Sequence, residues 1–226
     1  MEENNCIIIN APMGAKAHQL GRLIASCDNV VWYDYKGNGV NPWNLYQEED
    51  KNFTPYHFNR RFAGAVGKGI CENTILPIGS KSDKTLKEQQ VEISKWCNKL
   101  YPSMFVYPLH ESVELTRSVF KTKKEIFIIP PIDQLFNRFM KTSYYYFASS
   151  DNKQITIGDL FNHNRDAIKE HLELKINELK TSITKDVYVV NNVDNLLHQD
   201  NFKHLCKHFD LDFNFDCFAA VKSVIN

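Results

Sequence analysis

The residues best suited to chemistry lie near the amino terminus. The octet Asn10-Ala11-Pro12-Met13-Gly14-Ala15-Lys16-Ala17 follows the apolar run Cys6 to Ile9 and precedes helically spaced Leu20, Leu23, Ile24 and Cys27. Its spacing fits a phosphate-binding loop of the form G-x-x-x-x-G-K-[ST]. Lys16 holds the lysine place, Asn10 and Ala15 hold the two glycine places, and Ala17 holds the hydroxyl place. Main-chain amides of such a loop, with those of the helix it opens, cradle phosphate without help from side chains. Pro12 and Gly14 permit a tight turn, and Lys16 adds a point charge. Ala17 brings no hydroxyl for Mg²⁺, and Ala15 is a poor fit where a glycine takes positive φ. A metal-free phosphate ligand therefore suits the loop better than ATP hydrolysis or nucleotide phosphorylation. A plain strand–turn–helix is the reading without chemistry.

Two histidines stand near this loop or at an equivalent position in the pattern. His18 follows the loop and His110 ends the run Ser103 to His110; each imidazole titrates near neutrality and can serve as a general base. A hydrogen-bonded structural histidine is the alternative for both. Asp133 is expected to serve the start of its helix, where a carboxylate meets unpaired N–H groups. Arg60 and Arg61 form either an anion contact or a solvated pair. Asp200, His204 and His208 share a helical face, but no third ligand accompanies the two histidines. No metal is expected.

The elements that must position these residues follow from the apolar pattern. Short runs at Cys6 to Asn10, Asn29 to Tyr35, Ser103 to His110, Glu125 to Pro131 and Asp186 to Asn192 read as strands. Between them, Lys81 to Leu100 reads as a helix capped by Ser82 or Asp83, with Leu86, Ile93, Trp96, Cys97 and Leu100 inward. Further helices are expected over 111–120, 132–147, 157–183 and 200–211. This alternation predicts a three-layer α/β domain of P-loop type, its mostly parallel central sheet flanked by helices. Ligands in such sheets sit beyond the carboxyl ends of the strands, where the octet, His110 and the Pro130-Pro131 turn all fall.

The chain has 226 residues, enough for one domain over 1–226 with an irregular, aromatic insertion at about 36–79. Lys+Arg and Asp+Glu both total 27, so no global basic field exists to hold nucleic acid or an anionic membrane. No apolar run approaches the length of a membrane span. The acidic, polar start does not read as a signal peptide, and the six cysteines show no C-x-x-C spacing. A cytoplasmic protein with reduced core cysteines is expected. The lean towards Ile, Lys and Asn suits an AT-rich genome, a viral one included.

Several stretches together resemble the sulfotransferases that use 3′-phosphoadenosine 5′-phosphosulfate. Pro12 to His18 is similar to that family's first loop, P-[KR]-S-G-T-T followed by an aromatic or Leu. Ile126 to Phe139 is similar to its second motif, with Pro131, Asp133, Phe136, Arg138 and Phe139 in register. Val187 to Leu211 is similar in layout to its third segment, a strand, an acidic-Leu turn and a helix. The resemblance implies that Pro12, Met13, Gly14, Ala15, Lys16, Ala17, His18, Asn137 and Arg138 bind the donor. It implies further that Lys16 steadies the transferring group and that His110, placed like the family's base, deprotonates the acceptor. That acceptor is a small molecule or a glycan bearing a hydroxyl or amine.

The departures from the family pattern are specific. Met13 stands in the place of the loop Lys/Arg, Lys16 in that of a Thr, Ile129 in that of the arginine that binds the 3′-phosphate, and Asn137 in that of the accompanying Ser. They motivate a second reading, a relative that has lost its chemistry and acts as a binding or assembly protein. It expects Met13 or Ile129 to block the crevice and Trp43, Tyr46, Phe53 and Tyr56 to form an exposed surface. A small-molecule or nucleotide kinase is the third.

Overall fold

The computed structural model describes residues 3–32, 84–141, 143–145, 154–156 and 162–225. The insertion at about 36–79, with Arg60, Arg61 and the four aromatics named above, lies outside them.

Five strands form one parallel sheet: β1 (Cys6–Asn10), β2 (Val30–Trp32), β3 (Met104–Leu109), β4 (Glu125–Ile128) and, later in the chain, the strand Val187–Val190. A separate antiparallel pair, β5 (Ser143–Tyr145) and β6 (Gln154–Thr156), precedes that last strand, which is therefore β7. The order in the sheet is β2-β3-β1-β4-β7. β1 is central, and all five of its residues are fully buried, Asn10 included. Burial of each isoleucine, Ile7 to Ile9, contributes at most about 1.5–3 kcal/mol.

Helices α1 (Ala17–Ile24), α2 (Leu86–Leu100), α3 (Val113–Phe120), α4 (Ile132–Met140), α5 (Arg165–Thr181), α6 (Gln199–Phe209) and α7 (Phe215–Ile225) complete the described fold. Alternation along β1 divides the core. Ile7 and Ile9 pack with Leu20, Leu23 and Ile24 of α1, while Cys6 and Ile8 pack with Ile93 and Cys97 of α2 and Val119 and Phe120 of α3. Parallel crossovers are right-handed, so the chain leaves β1 towards one face and leaves β3 and β4 towards the other. Crevices thus open beside the carboxyl end of β1, where the octet begins.

Local chemistry sets the helix ends. Thr85 caps α2 through a reciprocal box with Glu88, in place of the expected Ser82 or Asp83, and Leu86 is exposed rather than inward. Ser112 caps α3 by accepting from the Leu115 amide at 3.2 Å. The helix expected over 132–147 stops at Met140, and residues 143–145 form a strand instead. Within the stretch expected as helix over 157–183, the described residues hold a 3-10 turn at Asn162–Asn164 and then α5, which ends at Thr181. Among the described residues, no helix is long and apolar enough to cross a membrane.

Candidate functional site

The octet turns sharply after β1. The Ala15 amide donates to the Pro12 carbonyl at 3.2 Å, closing a four-residue turn, and Gly14, third in that turn, has φ 81°. A type II turn needs positive φ at that place, and glycine supplies it without steric cost. Gly14 also lies against α4: a Cβ added there would come within 3.3 Å of Phe139 Cβ. Lys16 takes φ 63° and ψ 28°, the left-handed region, and its carbonyl accepts the Leu20 amide at 3.0 Å to begin α1. The positive angles thus fall on Gly14 and Lys16, whereas the motif spacing placed one on Ala15. Ala15 is buried without that conformation, so the missing glycine there is no defect.

No side chain caps α1, because Lys16 at the cap position carries no acceptor oxygen. A helix start without a side-chain cap from its own cap residue presents its dipole and N–H groups to a loop ligand, an arrangement that favours an anion. Lys16 Nζ reaches back to Asp194 Oδ1 at 2.5 Å, and Arg138 Nη2 of α4 lies 4.0 Å from Asp194 Oδ2. Asp194 belongs to a 3-10 turn, Val193–Leu197, directly after β7. The two predicted donor-binding cations are thus brought together, and they meet on a carboxylate that sequence reasoning passed over.

His110 follows β3, and its Nδ1 lies 2.8 Å from the Ala11 carbonyl. A carbonyl can only accept, so Nδ1 carries the proton and, in the neutral ring, Nε2 holds the lone pair that takes up a proton. The His18 ring lies edge-on to His110 with centroids 6.3 Å apart, so both histidines border the loop. A cavity of about 320 Å³ opens between the octet and α5, lined by Pro12, Met13, His110, Ser112, His171 and Lys175 among others. The charges in its wall satisfy one another. Lys175 Nζ donates to Glu178 Oε2 at 2.9 Å, and Glu178 Oε1 accepts the Val113 amide at 2.6 Å.

The other predicted positions sort clearly. Pro12 and Ala17 are buried, and Met13 is 48 % exposed at the rim of the cavity. Asn137 is exposed on α4, next in sequence to Arg138. Ile129 is 7 % exposed within the core, its amide bonded to the Val190 carbonyl. It therefore neither blocks the crevice nor offers a cation to it. Ala17, the first residue of α1, brings no oxygen for a metal. Asp133 lies in the first turn of α4 and pairs with Lys169 at 2.9 Å, which raises the lysine's pKa. His204 and His208 pack on Tyr188, whose hydroxyl lies 3.2 Å from His204 Nδ1 and whose pKa burial raises. Among the described residues, no group of three or more metal-ligating side chains occurs.

No known family profile matches the chain, and no curated protein is similar to it in sequence. Solved structures do match. The sulfotransferase domain from the Synechococcus PCC 7002 olefin synthase superposes with a TM-score of 0.50 at 11 % identity, over 96 % of this chain and 77 % of that one. The sulfotransferase domain from the curacin biosynthetic pathway gives 0.50 at 12 % identity, with the same coverage. The fold is therefore sulfotransferase-like, an α/β architecture of P-loop type with a parallel sheet. At this identity the likeness concerns the fold and leaves activity to the site.

Proposed function

We propose that the protein transfers a sulfuryl group from 3′-phosphoadenosine 5′-phosphosulfate to a hydroxyl or amine of a small molecule or glycan. The observation that carries this reading is the convergence of Lys16, Arg138 and the start of α1 at the end of the central strand, with His110 against the Ala11 carbonyl and the His18 ring of the same loop. Lys16 and the loop amides would stabilise the charge on the transferring group. The acceptor oxygen or nitrogen attacks sulfur as the bond from sulfur to the bridging phosphate oxygen breaks. The acceptor proton passes to His110 Nε2, and adenosine 3′,5′-bisphosphate leaves. The cavity beside Met13 and His110 would hold the acceptor. Neither nucleic acid nor membrane has a part in this scheme. Cys6, Cys27, Cys97 and Cys206 are buried free thiols, which fits a reducing, cytoplasmic setting.

The test is calorimetric titration with adenosine 3′,5′-bisphosphate, which should bind the native protein and lose most of its affinity in Lys16→Ala. Absence of heat at millimolar ligand removes the reading. A second reading, a binding or assembly protein on the same fold without chemistry, draws support from Ile129. The position that the resemblance reserves for an arginine is filled by a core side chain. Retained bisphosphate binding without sulfuryl transfer to any of a panel of phenols, alcohols, amines and sugars would favour it.

A further inference from the structure

We propose that Asp194 is a built-in competitor for the anion site, a carboxylate that occupies Lys16 and Arg138 until a phosphate- or sulfate-bearing ligand displaces it. This rests on the reading of the octet as an anion site and adds a reason for its selectivity. Three segments far apart in sequence meet at this point. Lys16 comes from the loop after β1, Arg138 from α4 and Asp194 from the turn after β7, with the carboxylate between the two cations.

The Asp194 carboxylate serves nothing in its own segment. Asn192 caps that turn, its Oδ1 accepting the Asp194 amide at 3.1 Å, and buried Val193 and Leu196 anchor it. Because the turn does not depend on the Asp194 side chain, that side chain can leave the cations without loss of the turn that carries it. The side chains also differ in exposure: Asp194 is 42 % exposed, against 24 % for Lys16 and 25 % for Arg138. The carboxylate is thus the most solvent-accessible member of the cluster and the two cations are the better buried ones. Displacement therefore moves Asp194 into water, where it is readily hydrated, and leaves the cations in place for the incoming anion. Lys16 meanwhile holds the left-handed conformation that joins the octet to α1, so it extends from a fixed backbone point whichever anion it meets. A ligand sees only the fraction of molecules in which the carboxylate has swung away, and its apparent affinity falls by that fraction. A partly exposed pair held by two cations corresponds to a penalty of roughly 5- to 20-fold.

The experiment measures binding of inorganic pyrophosphate and of adenosine 3′,5′-bisphosphate to the native protein, Asp194→Asn, Asp194→Ser and Lys16→Ala/Asp194→Asn. Pyrophosphate is expected to bind Asp194→Asn and Asp194→Ser about 5- to 20-fold more tightly than the native protein. The double variant should lose that gain. Thermal midpoints report folding for each variant. Unchanged or weaker pyrophosphate binding in both single variants overturns the proposal, because it would make Asp194 a support for Lys16 rather than its competitor. Failure of pyrophosphate to bind any of the proteins overturns it too. If pyrophosphate binds Asp194→Asn more tightly while the bisphosphate binds nothing, the competitor stands and the sulfuryl-donor reading falls.

Discussion

Substituting Gly14 with alanine tests whether the octet is held by its backbone. Gly14 has φ 81°, and an added Cβ would meet Phe139 Cβ at 3.3 Å and Phe139 Cα and Cδ2 at 3.4 Å. An alanine in the left-handed region costs about 1–2 kcal/mol. The contacts involve Cα and Cβ, which a rotamer change cannot move, so α4 itself must shift by a few tenths of an ångström, at about 1 kcal/mol. Together the loss is roughly 2–3 kcal/mol, and at about 2–4 °C per kcal/mol for a chain of this size the midpoint falls by roughly 4–12 °C. Arg138 adjoins Phe139, so bisphosphate affinity should fall with it. Circular dichroism melts of two companions separate the causes. Gly14→Asn tolerates positive φ better than alanine but keeps the clash, so it should recover only the conformational part. Ala15→Gly should destabilise by about 0.5–1 kcal/mol, since Ala15 lacks positive φ and glycine there only adds freedom to the unfolded chain. A Gly14→Ala midpoint within a degree of the native one, or an Ala15→Gly protein that melts higher, would refute the reasoning.

Three further expectations concern the frame around the site. Asn10 is fully buried and neither its Nδ2 nor its Oδ1 has a hydrogen-bond partner, so Asn10→Leu, close in volume, should stabilise by about 1–3 kcal/mol in a denaturant titration; a loss would mean that the amide has a bound partner such as water. Glu125 of β4 is buried and takes Arg117 Nε at 2.9 Å and Nη2 at 2.8 Å, so Arg117→Met should cost about 3–5 kcal/mol by stranding a carboxylate, while Arg117→Met/Glu125→Met should recover most of it. Thr85→Ala removes the cap of α2 and should cost about 0.5–2 kcal/mol by chemical denaturation. The same box holds the Glu88 carboxyl below its ordinary range, chiefly through the Thr85 hydroxyl. Its stabilisation is therefore complete above the ordinary carboxylate pKa and lost as pH falls through the lowered folded value. The gap between native and Thr85→Ala melts should narrow on acidification through that window.

Much of the frame could be read directly because buried parallel strands are written as continuous apolar runs. Cys6 to Asn10, Met104 to Leu109, Glu125 to Ile128 and Val187 to Val190 all fall inside the stretches expected as strands. Local patterns failed where two tendencies competed. Ser143 to Tyr145 looked like the end of a helix, but aromatic residues favour a strand once α4 has stopped. Phe215 to Ile225 is apolar on nearly every side, so it has no stripe to announce a helix. Within the site, the octet and His18 were legible because local spacing sets them, and His110 because it ends an apolar run that reads as a strand, whose carboxyl end is where such sheets place their ligands. Asp194 was not. Its meeting with Lys16 depends on β7 lying beyond β4 in the sheet, a pairing between residues 178 apart that no local pattern encodes.

The shift of positive φ from Ala15 to Gly14 and Lys16 bears on how far the altered letters of the octet matter. If the side chains of a phosphate loop were its working parts, loss of its hydroxyl and both expected glycines would leave an ordinary turn. Here the chain regains the turn by moving its one glycine to the third position and by accepting a strained lysine at the helix cap. A lysine in the left-handed region costs more than a glycine or asparagine, and this chain bears that cost at Lys121, at the end of α3, as well as at Lys16. At Lys16 the cost is understandable if the side chain must leave that backbone point towards Asp194 and Arg138. Lys16→Gly should therefore melt no lower than Lys16→Ala, since glycine relieves the backbone that alanine leaves strained. Both should lose the pyrophosphate affinity gained through Asp194→Asn. A Lys16→Gly protein that melts well below Lys16→Ala would place the value of Lys16 in its backbone geometry and not in its charge.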